Sequence, residues 1–200
     1  RVAAAEPVER ALQGVDGEGI AVTDLDGDRR QDIVLNRVWL RNRATADDGM
    51  PIFDRYEYAS QWTWPHTKIA VGDLDNDGRT DIALAPAEPA ESHYRLSWFR
   101  QPERATDPWP ETVLVPEIEA VLHGLQLADV DGDGRLDMVV SAMHQGEQPE
   151  VAVYFNDLDR PWPKQVLSRS GSHNLQAADI DGDGDVDLFG ANWSGRTKYC

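Results

Sequence analysis

KIAVGDLDNDGRTDIAL, residues 68–84, is one of four closely similar copies in this chain of 200 residues. The other copies are GIAVTDLDGDRRQDIVL (19–35), GLQLADVDGDGRLDMVV (124–140) and NLQAADIDGDGDVDLFG (174–190). Their acidic loops begin at Asp24, Asp73, Asp129 and Asp179, which gives periods of 49, 56 and 50 residues. Self-similarity at such a period is typical of architectures in which each copy is one supersecondary unit. The sequence therefore predicts one repeating domain of four units.

Each unit is predicted to contain four β-strands. In unit two, runs rich in branched and aromatic residues lie at 68–73, 82–85, 94–99 and 111–115, and Pro, Gly and Asp separate them. This pattern is typical of strands, and helical periodicity is weak. Four hairpin-connected strands form one blade of a β-propeller, so the predicted fold class is all-β, a propeller of four-stranded antiparallel blades. The single domain, 1–200, is predicted to divide at approximately 14–61, 62–117, 118–168 and 169–200.

The two ends of the chain indicate how the four predicted blades could form a closed propeller or part of one. Unit four has its first two strands, 174–178 and 186–189, and then only ANWSGRTKYC. Before unit one, VERALQ (8–13) resembles an outer fourth strand. Either this segment completes the last blade of a closed four-bladed ring, or the chain is an arc of a larger propeller. Since the chain begins at Arg1, it is expected to be a processed, trimmed or partial product.

The composition excludes several classes of partner. The net charge is −17, whereas nucleic acids and anionic membranes require basic patches. No apolar run approaches the ~20 residues of a membrane-spanning helix. The only cysteine is Cys200, so no disulfide framework is expected. The acidity has a local origin, because four loops with four aspartates each supply 16 of the 36 acidic residues.

The acidic loops follow the outline D-x-D-x-[DN]-G-x-x-D. When such a loop curls, carboxylates at positions 1, 3, 5 and 9 converge, and the carbonyl at position 7 adds an oxygen. This donor set suits the six to eight oxygens at ~2.3–2.6 Å that calcium prefers. An EF-hand is excluded because it needs Glu at position 12 and flanking helices. Position 12 is instead Leu35, Leu84, Val140 or Gly190.

On these loops the chain resembles the FG-GAP/VCBS repeat family, whose calcium-loop blades also form the propeller of integrin α-subunits. The resemblance covers roughly residues 8–200, and family members are usually seven-bladed. It implies up to four bound Ca²⁺ ions and the following sixteen ligands: Asp24, Asp26, Asp28, Asp32, Asp73, Asp75, Asp77, Asp81, Asp129, Asp131, Asp133, Asp137, Asp179, Asp181, Asp183 and Asp187.

Loop one is predicted to be the weakest calcium site. It has Arg29 at position 6, where the other loops have Gly78, Gly134 and Gly184. A residue with a Cβ in a left-handed turn costs about 1 kcal/mol. The arginine also adds a positive charge that competes with the ion.

Calcium is expected to have a structural role, because each loop supplies its own ligands and leaves no open position toward a substrate. Weak sites of this kind suit millimolar extracellular calcium, so a secreted, periplasmic or cell-surface location is predicted. The predicted function is a calcium-stabilised recognition or adhesion module that binds glycan or protein on the face opposite the calcium loops. It could belong to a larger chain or assembly. An architectural role in an extracellular assembly is a further alternative.

All five histidines fall on the face opposite the loops if the first strands line a central channel. His66, His123 and His173 stand six or seven residues before the loops, and Glu18 takes the equivalent place in unit one. Histidine is a metal ligand and a general acid or base, so these four residues are candidate catalytic or ligand residues of a lyase or dehydratase acting on carbohydrate. The competing interpretation is that they only tie the blades together.

Trp62, Trp64 and Trp193 also map near this face. They are predicted to be exposed indoles that stack on sugar rings.

Overall fold

The computed structural model describes residues 15, 17–45, 49–158 and 161–192, together with the backbone of 6–7 and 198–199. In this part of the chain every regular element is a β-strand. It therefore contains no helix long and apolar enough to cross a membrane. The predicted all-β class is confirmed.

The strands form four antiparallel sheets, one for each repeat unit. Sheet 1 has the order β1-β5-β4-β3-β2, and sheets 2 to 4 follow the chain order. The strands of sheets 1 and 2 are β1 (Glu6–Pro7), β2 (Ala21–Thr23), β3 (Asp32–Val34), β4 (Val38–Thr45), β5 (Pro51–Glu57), β6 (His66–Gly72), β7 (Asp81–Glu88), β8 (His93–Phe99) and β9 (Glu111–Glu119). The strands of sheets 3 and 4 are β10 (Leu122–Ala128), β11 (Asp137–Ala142), β12 (Val151–Tyr154), β13 (Lys164–Ser168), β14 (Asn174–Ala178), β15 (Asp187–Ala191) and β16 (Lys198–Tyr199).

The outer edge of sheet 1 carries a fifth strand. β1 pairs antiparallel with β5, with Glu6 opposite Phe53. The segment 8–13, proposed above as the closing strand of the last blade, lies outside the described residues. So do Trp193 and Cys200.

The first strand of each unit lies beside the first strand of the next. β2 contacts β6, β6 contacts β10, and β10 contacts β14. Residues at the start of these four strands line one cavity of about 240 Å³, which includes Glu18, Lys68, His123 and Asn174. The acidic loops lie at the opposite ends of the same strands, because each loop connects the first strand of a unit to the second.

The hydrophobic core fills the spaces between neighbouring sheets. Ile82 and Leu84 of β7 pack toward sheet 1, whereas Ala83 and Ala85 pack toward sheet 3, as the period of two along a strand requires. β7 is buried almost throughout because sheets cover both its faces. Trp62 belongs to this core with 0% exposure, so the prediction of an exposed indole there is wrong. Trp64 is partly buried and stacks on Tyr94.

The first and fourth sheets keep apolar side chains in solvent. Ile20 and Val22 in unit one are 63% and 58% exposed, and Phe189 on β15 is 37% exposed. Equivalent faces of the two middle sheets are covered by their neighbours. The burial of apolar surface is therefore incomplete at the two ends of the sheet series.

Candidate metal centres in the acidic loops

Each acidic loop makes a tight turn with two left-handed residues, at positions 4 and 6. Gly132 and Gly134 in loop three have φ of 74° and 86°. Loop one places Arg29 at position 6 with φ of 70°, although a side chain disfavours this region. The strain that the sequence predicted for loop one is therefore present in its backbone.

The turn brings the carboxylates of positions 1, 3 and 9 together in all four loops. In each loop these three side chains offer oxygens that lie within 4.8 Å of one another. The four groups are Asp24, Asp26 and Asp32; Asp73, Asp75 and Asp81; Asp129, Asp131 and Asp137; and Asp179, Asp181 and Asp187. Oxygens from three carboxylates in one small volume are suitable ligands for a hard divalent cation.

The aspartate at position 9 also fastens the loop to its sheet. In loop two, Asp81 accepts hydrogen bonds from the backbone N–H groups of Leu74 (2.9 Å) and Gln101 (2.8 Å). Asp81 is fully buried. Burial raises its pKa to about 6, against the lowering effect of the two hydrogen bonds. Asp32 has equivalent bonds, and burial likewise raises its pKa to about 6.

The aspartates at position 5 face arginines in the first three loops. Asp28, Asp77 and Asp133 form ion pairs with the arginines two residues later, Arg30, Arg79 and Arg135. Loop four has Asp185 instead of this arginine. The structure thus brings together twelve of the sixteen predicted ligands as four triads, and it pairs three of the other four with arginine.

Two further arginines distinguish loops one and two from loop three. Arg100, just after β8, approaches Asp75 (2.5 Å) and Asp77 (2.9 Å) in loop two. Arg41 pairs with Asp26 and Asp28 in the same way in loop one. The corresponding residue of unit three is Phe155. Loops one and two therefore carry a second cationic side chain among their carboxylates, whereas loop three has Arg135 without this second arginine.

Unpartnered oxygens indicate that the donor set fits a cation. Asp24 Oδ1 and Asp75 Oδ1 are buried and accept no hydrogen bond from the described residues. Burial and the neighbouring Asp77 raise the pKa of Asp75, although Arg100 lowers it. A buried carboxylate oxygen without a partner is costly, and a bound Ca²⁺ would supply the missing interaction.

Side-chain amides connect the loops of neighbouring units. Gln101 donates from Nε2 to the carbonyl of Leu25 in loop one (2.5 Å), and Asn156 donates from Nδ2 to that of Leu74 in loop two (2.7 Å). These two contacts were not predicted from the sequence, because Gln101 and Asn156 follow their loops at different distances. The available signal is that an amide residue recurs near the end of the third strand of units one to three. The backbone N–H of Asn42 donates to Asp32, as those of Gln101 and Asn156 donate to Asp81 and Asp137.

The buried aspartates predict an unusual pH dependence for the metal-free protein. Between about pH 4 and pH 6.5 the folded state retains protons on Asp32 and Asp81 that the unfolded state has lost, since their unfolded pKa is near ~3.9. The free energy of unfolding must therefore fall as pH rises through this window, by at most about 3 kcal/mol for each group. Urea unfolding at a series of pH values, after exhaustive removal of metal, measures this slope.

Asp32→Asn provides the control, because it removes one of the groups whose pKa is raised to about 6 and should reduce the slope. Saturating calcium should reverse the slope, since the ion binds deprotonated carboxylates. A metal-free protein whose stability rises from pH 4.5 to pH 6.5 would contradict the assignment.

At the other end of the first strands, acidic and histidine side chains gather at one edge of the cavity that these strands line, and Glu18 and His123 belong to its lining. Glu18, His66 and Glu88 offer ligand atoms within 4.8 Å of one another. His123 Nε2 lies 3.5 Å from Glu88 Oε1, and the His123 and His173 rings are 4.4 Å apart. All four predicted residues of this face thus occupy one region. Glu88, at the end of β7, was not predicted, because nothing in its local sequence distinguishes it.

Comparison with known proteins supports the repeat assignment. The family model for the FG-GAP-like repeat matches residues 73–140 and 129–190, which together span more than half of the chain. The match confirms the resemblance drawn from the four loops. No match to a curated protein was found.

Proposed function

The chain belongs to the FG-GAP-like repeat family, and from this premise we propose that it is a calcium-stabilised β-propeller module for extracellular recognition or adhesion. The observation that carries the proposal is the fourfold carboxylate triad, with buried and unpartnered oxygens in loops one and two. Calcium at these loops would stabilise the sheets, and the opposite face would remain free for a ligand.

The propeller arrangement is supported by the contacts between consecutive first strands and by the cavity that all four units line. The exposed Ile20, Val22 and Phe189 favour an open arc over a closed four-bladed ring, because closure would bury the outer faces of sheets 1 and 4. We propose repeat units at approximately 14–61, 62–117, 118–168 and 169–200.

Calcium is the cation that we propose for the acidic loops, through the aspartates at positions 1, 3, 5 and 9. The arginines beside loops one and two support unequal affinities, with loop one the weakest and loop three stronger. Sites with this many exposed carboxylates fit the millimolar calcium outside cells. A secreted, periplasmic or cell-surface location follows from this proposal.

A cavity between sheets 2 and 3 is the proposed ligand site. Its volume is about 240 Å³, and its lining includes His93, Glu119, Glu147, Gln148 and Tyr154. This is slightly smaller than the ~300–1,000 Å³ of drug-sized sites and suits a single sugar ring. Its acidic lining would accept hydrogen bonds from hydroxyl groups and would repel sulfated or uronic sugars. A neutral glycan is therefore the proposed ligand.

Binding of the calcium-loaded protein to immobilised neutral and acidic oligosaccharides tests this proposal. We expect selective binding of neutral sugars, and Glu147→Gln should weaken it about fivefold to tenfold, because the carboxylate is the stronger acceptor. Glu103→Gln, an exposed change in the turn before β9, is the matched control and should have no effect. Immobilised basic proteins are tested in the same way. Binding to basic proteins but not to sugars would favour a protein partner, and binding to neither sugars nor basic proteins would contradict the recognition function.

The acidic and histidine residues at the cavity mouth favour a second candidate function, a carbohydrate lyase or dehydratase. In this alternative His66, His123, His173 and Glu18 would supply the base and a metal site. Incubation with uronic acid polysaccharides, monitored by the ultraviolet absorption of unsaturated products, distinguishes it from a binding module. An absence of product with every class of substrate would favour the recognition module.

A further inference from the structure

The side chains at the mouth of the central cavity form a cluster of mixed chemistry, distinct from the acidic loops. We define this mouth cluster as Glu18, His66, Glu88, His123 and His173. It lies at the starts of the first strands and the end of β7, whereas the acidic loops follow the other ends of the first strands. Three units contribute a histidine, and units one and two contribute the carboxylates.

The distances within the mouth cluster are those of neighbouring ligands. His66 Nδ1 lies 3.8 Å from Glu18 Oε1, and His123 Nε2 lies 3.5 Å from Glu88 Oε1. Both separations are too long for good hydrogen bonds. Two ligand atoms bound tetrahedrally at ~2.0–2.1 Å lie about 3.3–3.4 Å apart. A small ion between these atoms would therefore require only minor movement of the side chains.

His123 gives an independent indication of a missing partner. Its side chain is only 5% exposed, and neither ring nitrogen has a hydrogen-bond partner among the residues that the structure describes. The neighbouring His173 has a buried Nδ1 without a partner as well. A neutral imidazole with a free nitrogen is the form that binds a metal.

Charge and donor type select the class of ion. The cluster combines imidazole nitrogen with carboxylate oxygen, a set that suits zinc and other first-row divalent metals, whereas calcium takes oxygen ligands. Lys68 Nζ holds Glu18 Oε2 at 3.1 Å, which leaves Oε1 directed toward His66. The two carboxylates balance the charge of one divalent ion, and Lys68 leaves the loaded site with one net positive formal charge.

We propose that the mouth cluster is a transition-metal site, in which Glu18, His66 and Glu88 bind one zinc-class divalent ion, His123 approaches the ion from the side of Glu88, and His173 packs beside His123. The site is separate from the four calcium loops and does not depend on their occupancy. It would join three repeat units through one ion at the centre of the molecule. His66 and Glu88 keep 45% and 42% of their side chains exposed, so the ion would also be accessible from solvent.

Titration with Co²⁺ in saturating Ca²⁺ tests the proposal, because Ca²⁺ keeps the acidic loops filled and Co²⁺ reports its ligands by visible ligand-field absorption. We expect one equivalent of Co²⁺ to bind, with a spectrum typical of nitrogen and oxygen ligands, and Zn²⁺ to displace it. His66→Ala and Glu88→Gln should each weaken binding by about tenfold or more. Both side chains are partly exposed, so these variants should melt at the wild-type temperature in calcium.

His93→Ala is the matched control, since His93 is an exposed histidine at the start of β8, outside the mouth cluster. It should bind Co²⁺ with wild-type affinity. The proposal is overturned if calcium abolishes the Co²⁺ spectrum, if the His66 and Glu88 variants bind as tightly as the wild type, or if His93→Ala weakens binding as much as they do.

Discussion

Removal of calcium should lower the melting temperature of this protein by about 10 °C or more. A ligand that binds only the folded state at 100 times its Kd adds about 2.7 kcal/mol per site. In a chain of this size each kcal/mol corresponds to roughly 2–4 °C, so two well-filled loops account for the expected shift. When calcium is removed, the carboxylates of each loop repel one another, because their oxygens lie within 4.8 Å of one another.

Differential scanning calorimetry with excess Ca²⁺ and with a chelator measures this effect. Asp131→Asn, which removes one charge from the triad of loop three, should reduce the calcium-dependent shift. Asp107→Asn, in the exposed turn before β9, is the matched control and should leave the shift unchanged. Identical melting temperatures with and without calcium would show that the acidic loops are hairpins that need no bound ion for stability.

The second large effect is expected at Asp81. In saturating calcium, Asp81→Ala should lower the free energy of unfolding by roughly 3–5 kcal/mol, because it leaves two buried backbone N–H groups unpaired at about 1–3 kcal/mol each. It also removes one ligand from loop two. Such a loss is a large share of the ~5–15 kcal/mol that stabilises a typical protein. Urea unfolding of the calcium-loaded variants measures it.

Asp187→Ala is the matched control, because it changes the same position of loop four. Both variants lose one calcium ligand. Asp187 accepts one described bond, from the exposed N–H of Ile180, so beyond the lost ligand we expect a loss of at most about 1 kcal/mol. Asp81→Asn keeps one acceptor oxygen and should be intermediate. Equal losses for Asp81→Ala and Asp187→Ala would show that burial of the aspartate at position 9 does not contribute to the free energy of unfolding.

The strands and acidic loops could be predicted from sequence because their determinants are local. The sixteen aspartates follow one pattern, and nine consecutive residues suffice to form the turn. The predicted strand 174–178 coincides with β14, and the predicted strand 94–99 differs from β8 by one residue. The predicted strand 111–115 was too short, since β9 continues to Glu119. Its continuation includes Pro116, a residue that usually demotes a strand prediction.

The contacts between units could not be predicted in the same way. Arg100 reaches loop two from the end of β8, and Glu88 meets histidines of two different units. Trp62 was predicted to be exposed from its place in the sequence, yet it packs in the core between sheets 1 and 2. Each of these outcomes depends on how the sheets twist and face one another. The residues of each loop have a fixed spacing within the sequence. Residues that meet between units do not, because the connections between units differ in length.

The sequence by itself determined the repeat, the all-β class, the family and the carboxylates of the acidic loops. It did so because a hairpin and its turn depend on residues close together in the chain. Only the tertiary structure decided which carboxylates are buried, which loops have an arginine beside their aspartates, and which residues from the four units form the mouth cluster. Those features depend on side chains brought together by sheet packing, and a local sequence pattern does not encode such distances.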